Sequence, residues 1–343
     1  MLLVIFGAGA SHDSVPARSH ANGRFGTLLD RPPLAHQLFD DRPQFVEDLD
    51  EFPQCKRIVP DLRKDSLGGA FEQTLQRLQE EGQNQNYPVR FQQLAAVRFY
   101  LRRMLWRCED RWYNEHRGIT NHGVLLDRLD MWRPAGEPIL LVTFNYDRIL
   151  ERALDQFGQI FNEISHYITS QRFQVFKLHG SVNWGRQVRT QIVTENRNER
   201  DIGRELIEKA AQLTFMDEYR VLSSCDTVND RARVYCPAIA LPVEQKVSFE
   251  CPATHVSALQ EKLGHVTRIL TIGWRGTEMV FLELLKKHLS HPVPVMVIAK
   301  DGKESTEIGL NFHRMDITKS PEAYSGGFTD YISNKDSEKF LRY

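Results

Sequence analysis

Four short apolar runs constrain this chain more than any other feature: Leu2–Phe6, Ile139–Phe144, Arg268–Gly273 and Val293–Ala299. None alternates polar with apolar residues, all are rich in Val, Ile and Leu, and each ends near a glycine or polar turn. Such a run suits a strand covered on both faces, as in a parallel sheet between helical layers. Phe173–Leu178 and Ala238–Leu241 are weaker strand candidates. Helical patterns intervene. Asp147–Phe157 places Ile149, Leu150, Ala153 and Leu154 on one face, and Ala258–Leu263 and Glu278–Leu289 behave alike. The expected fold class is α/β, a Rossmann-like parallel sheet with helices on both sides.

More than a hundred residues of different texture separate the first two strong runs. Phe71, Leu75 and Leu78 recur at helical spacing, and Leu94, Val97, Leu101, Met104, Leu105, Cys108 and Trp112 form a longer stripe. Val124, Leu125, Leu126 and Leu129 suggest another helix. The expected organisation is one α/β domain with its core at approximately 1–35, 136–185 and 235–315. A helical module is inserted at approximately 36–135 and a second insertion at approximately 186–234. The long helix carries Arg98, Arg102, Arg103, Arg107 and Arg111, which read as a solvated face rather than a nucleic-acid surface. Arg186–Val234 is polar, with one amphipathic helix expected near Arg204–Leu213, and the segment from Lys319 onward has no assignable pattern.

At 343 residues and a formal net charge of −1, the chain has no global basic field, and no direct nucleic-acid binding is expected. No apolar run reaches 18 residues, so no membrane span is expected. The run at Leu2–Phe6 is too short for a signal peptide and enters a glycine turn. The fold is therefore expected to begin at residue 1, and the odd number of widely spaced cysteines points to the cytoplasm. Five cysteines at wide spacing, without a Cys-x-x-Cys pair, support neither a disulfide framework nor a zinc ribbon, and no metal is expected.

Three motifs stand at strand ends. Gly7-Ala8-Gly9-Ala10-Ser11 follows the first run; its glycines allow a sharp turn near a pyrophosphate, or serve only the turn itself. As a dinucleotide fingerprint it lacks the third glycine, replaced by His12, and the acid expected about 20 residues on. Thr143-Phe144-Asn145-Tyr146-Asp147 ends the second run. Asp147 is expected to cap the following helix, a role that leaves Asn145 unexplained. Lys177-Leu178-His179-Gly180-Ser181 supplies a histidine able to take a proton near neutral pH.

In this order the three motifs resemble the sirtuin, or silent-information-regulator-like, superfamily, whose pattern is G-A-G-x-S, then T-x-N-x-D, then H-G. Gly273-Trp274-Arg275-Gly276-Thr277-Glu278 fits the family's glycine–serine loop beside the ribose and phosphates. Ala240-Leu241-Pro242-Val243-Glu244-Gln245-Lys246 resembles a proline-containing strand end of the bacterial branch. Departures are informative. The two Cys-x-x-Cys pairs of the deacetylases are absent after His179-Gly180, the family's glutamine is Phe144, and Pro16-Ala17-Arg18 only partly echoes an Asp-Phe-Arg run. Arg275 and Glu278 stand where serine and aspartate are frequent.

The pattern looks like that of bacterial sirtuin-like effectors of antiphage defence, which deplete NAD. What the resemblance implies is a sheet of sirtuin type with NAD as substrate. Asn145 and His179 are then the catalytic pair, with Asn145 orienting the ribose or water and His179 acting as general base. Gly7, Ala8, Gly9, Ser11, Asn145, Asp147, Ser181, Gly273, Trp274, Thr277 and Glu278 are the expected binding residues. The resemblance also implies a homo-oligomer, and restraint by a separate partner such as a HerA-type ATPase or an Argonaute. A non-catalytic NAD or ADP-ribose sensor and an NAD-dependent protein deacylase are the competing functions.

Overall fold

The computed structural model describes residues 1–15, 30–68, 70–83, 87–230, 233–243, 248–334 and 338–342. Pro16–Arg18 and Glu244–Lys246, both singled out above, lie outside the described residues. Ten strands are found among the described residues. They are β1 (Leu2–Phe6), β2 (Ile139–Thr143), β3 (Phe173–Lys177), β4 (Gly180–Arg189) and β5 (Thr214–Val221), followed by β6 (Asn229–Asp230), β7 (Arg233–Ile239), β8 (Arg268–Ile272), β9 (Val295–Ala299) and β10 (Glu322–Ser325). The chain divides into two compact units and passes from one to the other after Pro32, Cys108, Leu178 and Pro252.

The first unit comprises Met1–Pro32, Glu109–Leu178 and Ala253–Tyr343. It is built on a six-stranded sheet in the order β10-β9-β8-β1-β2-β3, with every pair parallel. In chain order within the unit this is the doubly wound 3-2-1-4-5-6 arrangement, whose direction of winding reverses between β1 and β8. Phe6 is in register with Thr143 on one side and Ile272 on the other, so three strands end level at this switch point. All five residues of β1, β2, β3 and β8 are buried, and apart from Thr143, Gln174, Lys177, Arg268 and Thr271 their side chains are those of Val, Ile, Leu or Phe. Burying each such side chain contributes about 1.5–3 kcal/mol.

The strands predicted from sequence are present with ends moved by at most two residues, except Ala238–Leu241, which falls at the end of β7 (Arg233–Ile239) in an antiparallel sheet. The helix expected at Asp147–Phe157 is Ile149–Asp155, and those expected at Ala258–Leu263 and Glu278–Leu289 are Ala253–Leu263 and Met279–His288. The unassigned C-terminal segment supplies β10 and the helix Gly327–Ser333. Strand β10 lies at the sheet edge and is largely exposed, so it carries no apolar signature.

The second unit comprises Pro33–Cys108 and His179–Pro252. It combines helices with a four-stranded antiparallel sheet ordered β5-β4-β7-β6. The sequence reading missed this sheet. The helix expected near Arg204–Leu213 is Glu199–Glu208, where Asn198 accepts from the Asp201 amide at 2.9 Å and acids fill the first turn.

The solvated arginine face is also corrected. Arg102 is fully buried and donates from Nη2 to the Ser224 carbonyl at 2.6 Å. Arg103 and Arg107 both pair with the buried carboxylate of Asp48, and Arg98 donates to the Ile239 carbonyl at 3.2 Å. Only Arg111 of the five is exposed. Acceptors from the helix Pro43–Asp50 and from the chain around β7 cover a face that looked destined for water. No helix among the described residues is long and apolar enough to cross a membrane.

Two histidines of the first unit make its stability sensitive to pH. Burial pushes the pKa of His122, set between the rings of Phe6 and Phe328, down to about 4. Burial does the same to His255, which donates to the Ile164 carbonyl. Both stay neutral when folded but take up protons near pH 6.5 when unfolded. Stability is therefore lost as pH falls from about 6.5 toward about 4, by roughly 3 kcal/mol per histidine at most. Glu109, pushed up to about 7 by burial against the pull of Arg148 and Arg152, acts oppositely across this window. Urea melts at pH 7.5 and 5 are expected to show a smaller acid loss in His122→Phe than in the wild type. Identical losses would mean that His122 protonates in the folded state.

Candidate functional site at the sheet switch point

In open α/β sheets ligands sit beyond the carboxyl ends of the strands, at the switch point. Here that place is formed by the chain after β1, β2 and β8, all within the first unit. The loops after β1 and β8 interlock. The Gly7 amide donates to the Ile272 carbonyl and the Gly9 amide to the Gly273 carbonyl, both at 3.0 Å. A Cβ on Gly7 would lie 2.4 Å from the Gly273 oxygen, so the glycine is demanded by this backbone approach. The Ala10 amide bonds back to the Gly7 carbonyl at 2.9 Å. Three amides of the Gly7–Ser11 turn are thus engaged within the unit.

Asn145 enters this arrangement from the end of β2. Its backbone amide donates to Thr143 Oγ1 at 3.1 Å. Its side-chain Nδ2 donates to the Gly7 carbonyl and to Ser11 Oγ, both at 2.9 Å. The side chain is 7% exposed, and its Oδ1 has no hydrogen-bond partner among the described residues. Both amide protons are committed, so the rotamer and the amide orientation are fixed. What remains is a carbonyl oxygen able to accept from a hydroxyl.

The other residues expected in the first unit have distinct surroundings. Asp147 does not occupy the helix cap position, which falls to Arg148. Its Oδ1 still accepts from the Ile149 amide at 3.1 Å, closing the turn into the helix Ile149–Asp155. Ala8 and Gly9 are half-buried and Ser11 is buried. The Trp274 ring lies in an aromatic core, stacked on Phe144 at 5.3 Å and edge-on to Phe281 and Phe312. Thr277 is exposed, and Glu278 caps the helix Met279–His288 through its carbonyl, which accepts from Phe281 and Leu282. Gly273 is left-handed, with φ of 58°.

His179 and Ser181 belong to the second unit. His179 is buried, and its carbonyl accepts from the Ala240 amide at 3.0 Å. Gly180 has a φ of 79°, and a Cβ there would stand 1.9 Å from the Ala238 carbonyl oxygen. The H-G pair is thus fixed by the close approach of β4 to β7. Ser181 Oγ donates to Asn183 Oδ1 at 2.7 Å, and the Asn183 carbonyl accepts from Leu222. Within the first unit, register pairs Thr143 with Lys177 across β2 and β3.

Two buried ionic groups behind the Asn145 loop escaped the sequence reading. Glu109 accepts from the amide and Nε of Arg148 and pairs with Arg152. Lys177 pairs with Glu151 at 2.9 Å. A lysine ending a buried strand is the one signal that could have found the second. Among the described residues, no group of three or more His, Cys, Asp or Glu side chains could hold a metal ion.

A family model described as a SIR2-like domain matches residues 139–224. The match begins with β2, takes in Asn145, His179 and Ser181, and runs past β5. No curated protein matches the sequence. SIR2-like domains are in general NAD-dependent enzymes, and the match supports an NAD-related function in general terms. Residues 139–224, with Asn145 and His179 among them, are thus similar to a SIR2-like domain, and the first unit carries a parallel sheet wound as in a Rossmann-like fold.

Proposed function

We propose that this protein is an NAD glycohydrolase that cleaves NAD to nicotinamide and ADP-ribose. The observation that carries the reading is Asn145: buried at a switch point, with both amide protons committed and Oδ1 left to accept a ribose hydroxyl. The glycines of the Gly7–Ser11 turn serve the contact with Gly273, so the ribose end supports the reading more than the pyrophosphate end.

Water adds at the ribose carbon, the carbon–nitrogen bond breaks, and its electron pair leaves on the nicotinamide nitrogen. The pyridinium charge makes nicotinamide a good leaving group, so the protein's task is to orient the ribose and stabilise charge developing on it. Asn145 holds the hydroxyl, His179 takes the proton of the attacking water, and Asp147 keeps the loop closed. The resemblance to NAD-depleting effectors extends the proposal to antiphage defence, in a homo-oligomer restrained by a separate partner such as a HerA-type ATPase or an Argonaute.

The test is NAD consumption by purified protein, with nicotinamide and ADP-ribose separated by chromatography. Asn145→Ala is expected to lower turnover by about 10²–10³-fold, and His179→Ala by about 10²–10⁴-fold. Full activity in both variants would show the assigned pair to be wrong. A wild type that binds NAD and leaves it intact would make the protein a sensor. Release of O-acyl-ADP-ribose from an acylated peptide would make it a deacylase.

A further inference from the structure

Lys177 closes β3, and its side chain is fully buried. Nζ lies 2.9 Å from Oε1 of Glu151, itself buried, and donates to the backbone carbonyl of Asp147 at 2.5 Å. Tyr167 donates its hydroxyl to the same Glu151 oxygen at 3.3 Å. Glu151 sits in the first turn of the helix Ile149–Asp155, the end at which negative charge is favoured. A buried ammonium without a partner is costly, and the Glu151 carboxylate supplies that partner here.

The second contact distinguishes this pair from an ordinary buried ion pair. A carbonyl is a fixed point of the chain, so a donor that grips it sets the path of the loop and not merely one side chain. The loop is held on either side as well, by Thr143 Oγ1 on the Asn145 amide and by Glu109 on the Arg148 amide. Lys177 supplies the anchor between them. A well-packed apolar pair in its place is often as stable or more so. Space-filling is therefore a poor account of two buried charges, and positioning a loop is a better one.

We propose that Lys177 and Glu151 are positioning residues, which fix the Asn145–Asp147 loop and thereby govern turnover without touching the substrate. The proposal rests on the NAD-cleaving reading of Asn145. Because breaking half of a buried pair can unfold the protein, the informative variant is the double one, Lys177→Met with Glu151→Leu, which removes both charges at similar volume.

Displacement of the loop by roughly 1 Å is expected to lower kcat about 100-fold, with KM for NAD held within about threefold. Amide hydrogen exchange over residues 145–149 is expected to accelerate while β1 and β8 stay protected. Glu151→Gln keeps an acceptor for both Lys177 and Tyr167, and is expected to recover at least about a tenth of the lost rate.

If Asn145→Ala abolishes turnover while the double variant keeps wild-type kcat and exchange, the positioning role is overturned and the hydrolase reading stands. A wild type that binds but never cleaves NAD overturns the hydrolase reading. Anchorage is then judged on the double variant: faster exchange with weaker NAD binding upholds it, and unchanged values refute it.

Discussion

Gly273→Ala is expected to destabilise the parallel-sheet unit by about 2–5 kcal/mol, through left-handed backbone strain together with overpacking. The added Cβ would stand 2.3 Å from the Ala10 nitrogen and 2.5 Å from the Gly9 carbonyl carbon. Both are backbone atoms, so no rotamer change relieves the contact, and the φ of 58° adds a penalty of its own. Relief requires the loops after β1 and β8 to separate, which strains the bond from the Gly9 amide to the Gly273 carbonyl. Asn145 donates to the carbonyl of Gly7 in the same loop, so the damage reaches the candidate site.

Gly302→Ala is the control. It opens the helix Gly302–Arg314 with nothing within 4 Å of an added Cβ, and is expected to be neutral or stabilising by up to about 1 kcal/mol. Urea melts read both variants, with a lower midpoint at constant slope for Gly273→Ala. Equal midpoints for Gly273→Ala and the wild type would show that the two loops do not interlock.

The contrast between these loops and the second sheet explains what was legible in the sequence. Strands β1, β2, β8 and β9 announce themselves because a parallel sheet covered on both faces leaves nowhere for polar residues. The motifs at the ends of β1, β2 and β3 are legible because each is local: a turn, an amide and a histidine, each within five consecutive residues.

Strand β5 exposes most of its residues and mixes Thr214, Asp217, Glu218 and Arg220 with Phe215 and Tyr219. No period betrays it, since its pairing with β4 supplies the order. Strand β4 begins straight after His179, where Ser181, Asn183 and Gly185 break any apolar run. The buried arginines of the long helix failed for a related reason. Whether a polar face meets water depends on what folds over it, and Asp48 and Ser224 lie far away in sequence. Glu278 and Trp274 were singled out by position in a motif. The structure gives the first a helix-capping carbonyl and the second a place in an aromatic core.

Asn145→Asp separates the role of the Asn145 amide from that of its shape. The change is nearly isosteric, yet an ionised aspartate only accepts hydrogen bonds. Ser11 Oγ can rotate to donate to the new oxygen, but the Gly7 carbonyl, 2.9 Å from the present nitrogen, cannot. Two oxygens then face each other in a buried site, which raises the carboxyl pKa above its unfolded value near 3.9. The folded state therefore binds more protons than the unfolded one between those two values, and stability falls as pH rises through them.

Protonation restores a single donor toward Gly7. The expected result is a loss of roughly 10²–10³-fold in NAD cleavage at pH 8, with the deficits in rate and melting temperature relative to the wild type shrinking toward pH 5. Asn145→Ala has nothing to titrate at this position, and its deficit relative to the wild type should stay flat across the same range. Full activity of Asn145→Asp at pH 8 would remove the amide from the mechanism. Parallel pH profiles for the two variants would show that the Gly7 carbonyl does not need a donor from residue 145.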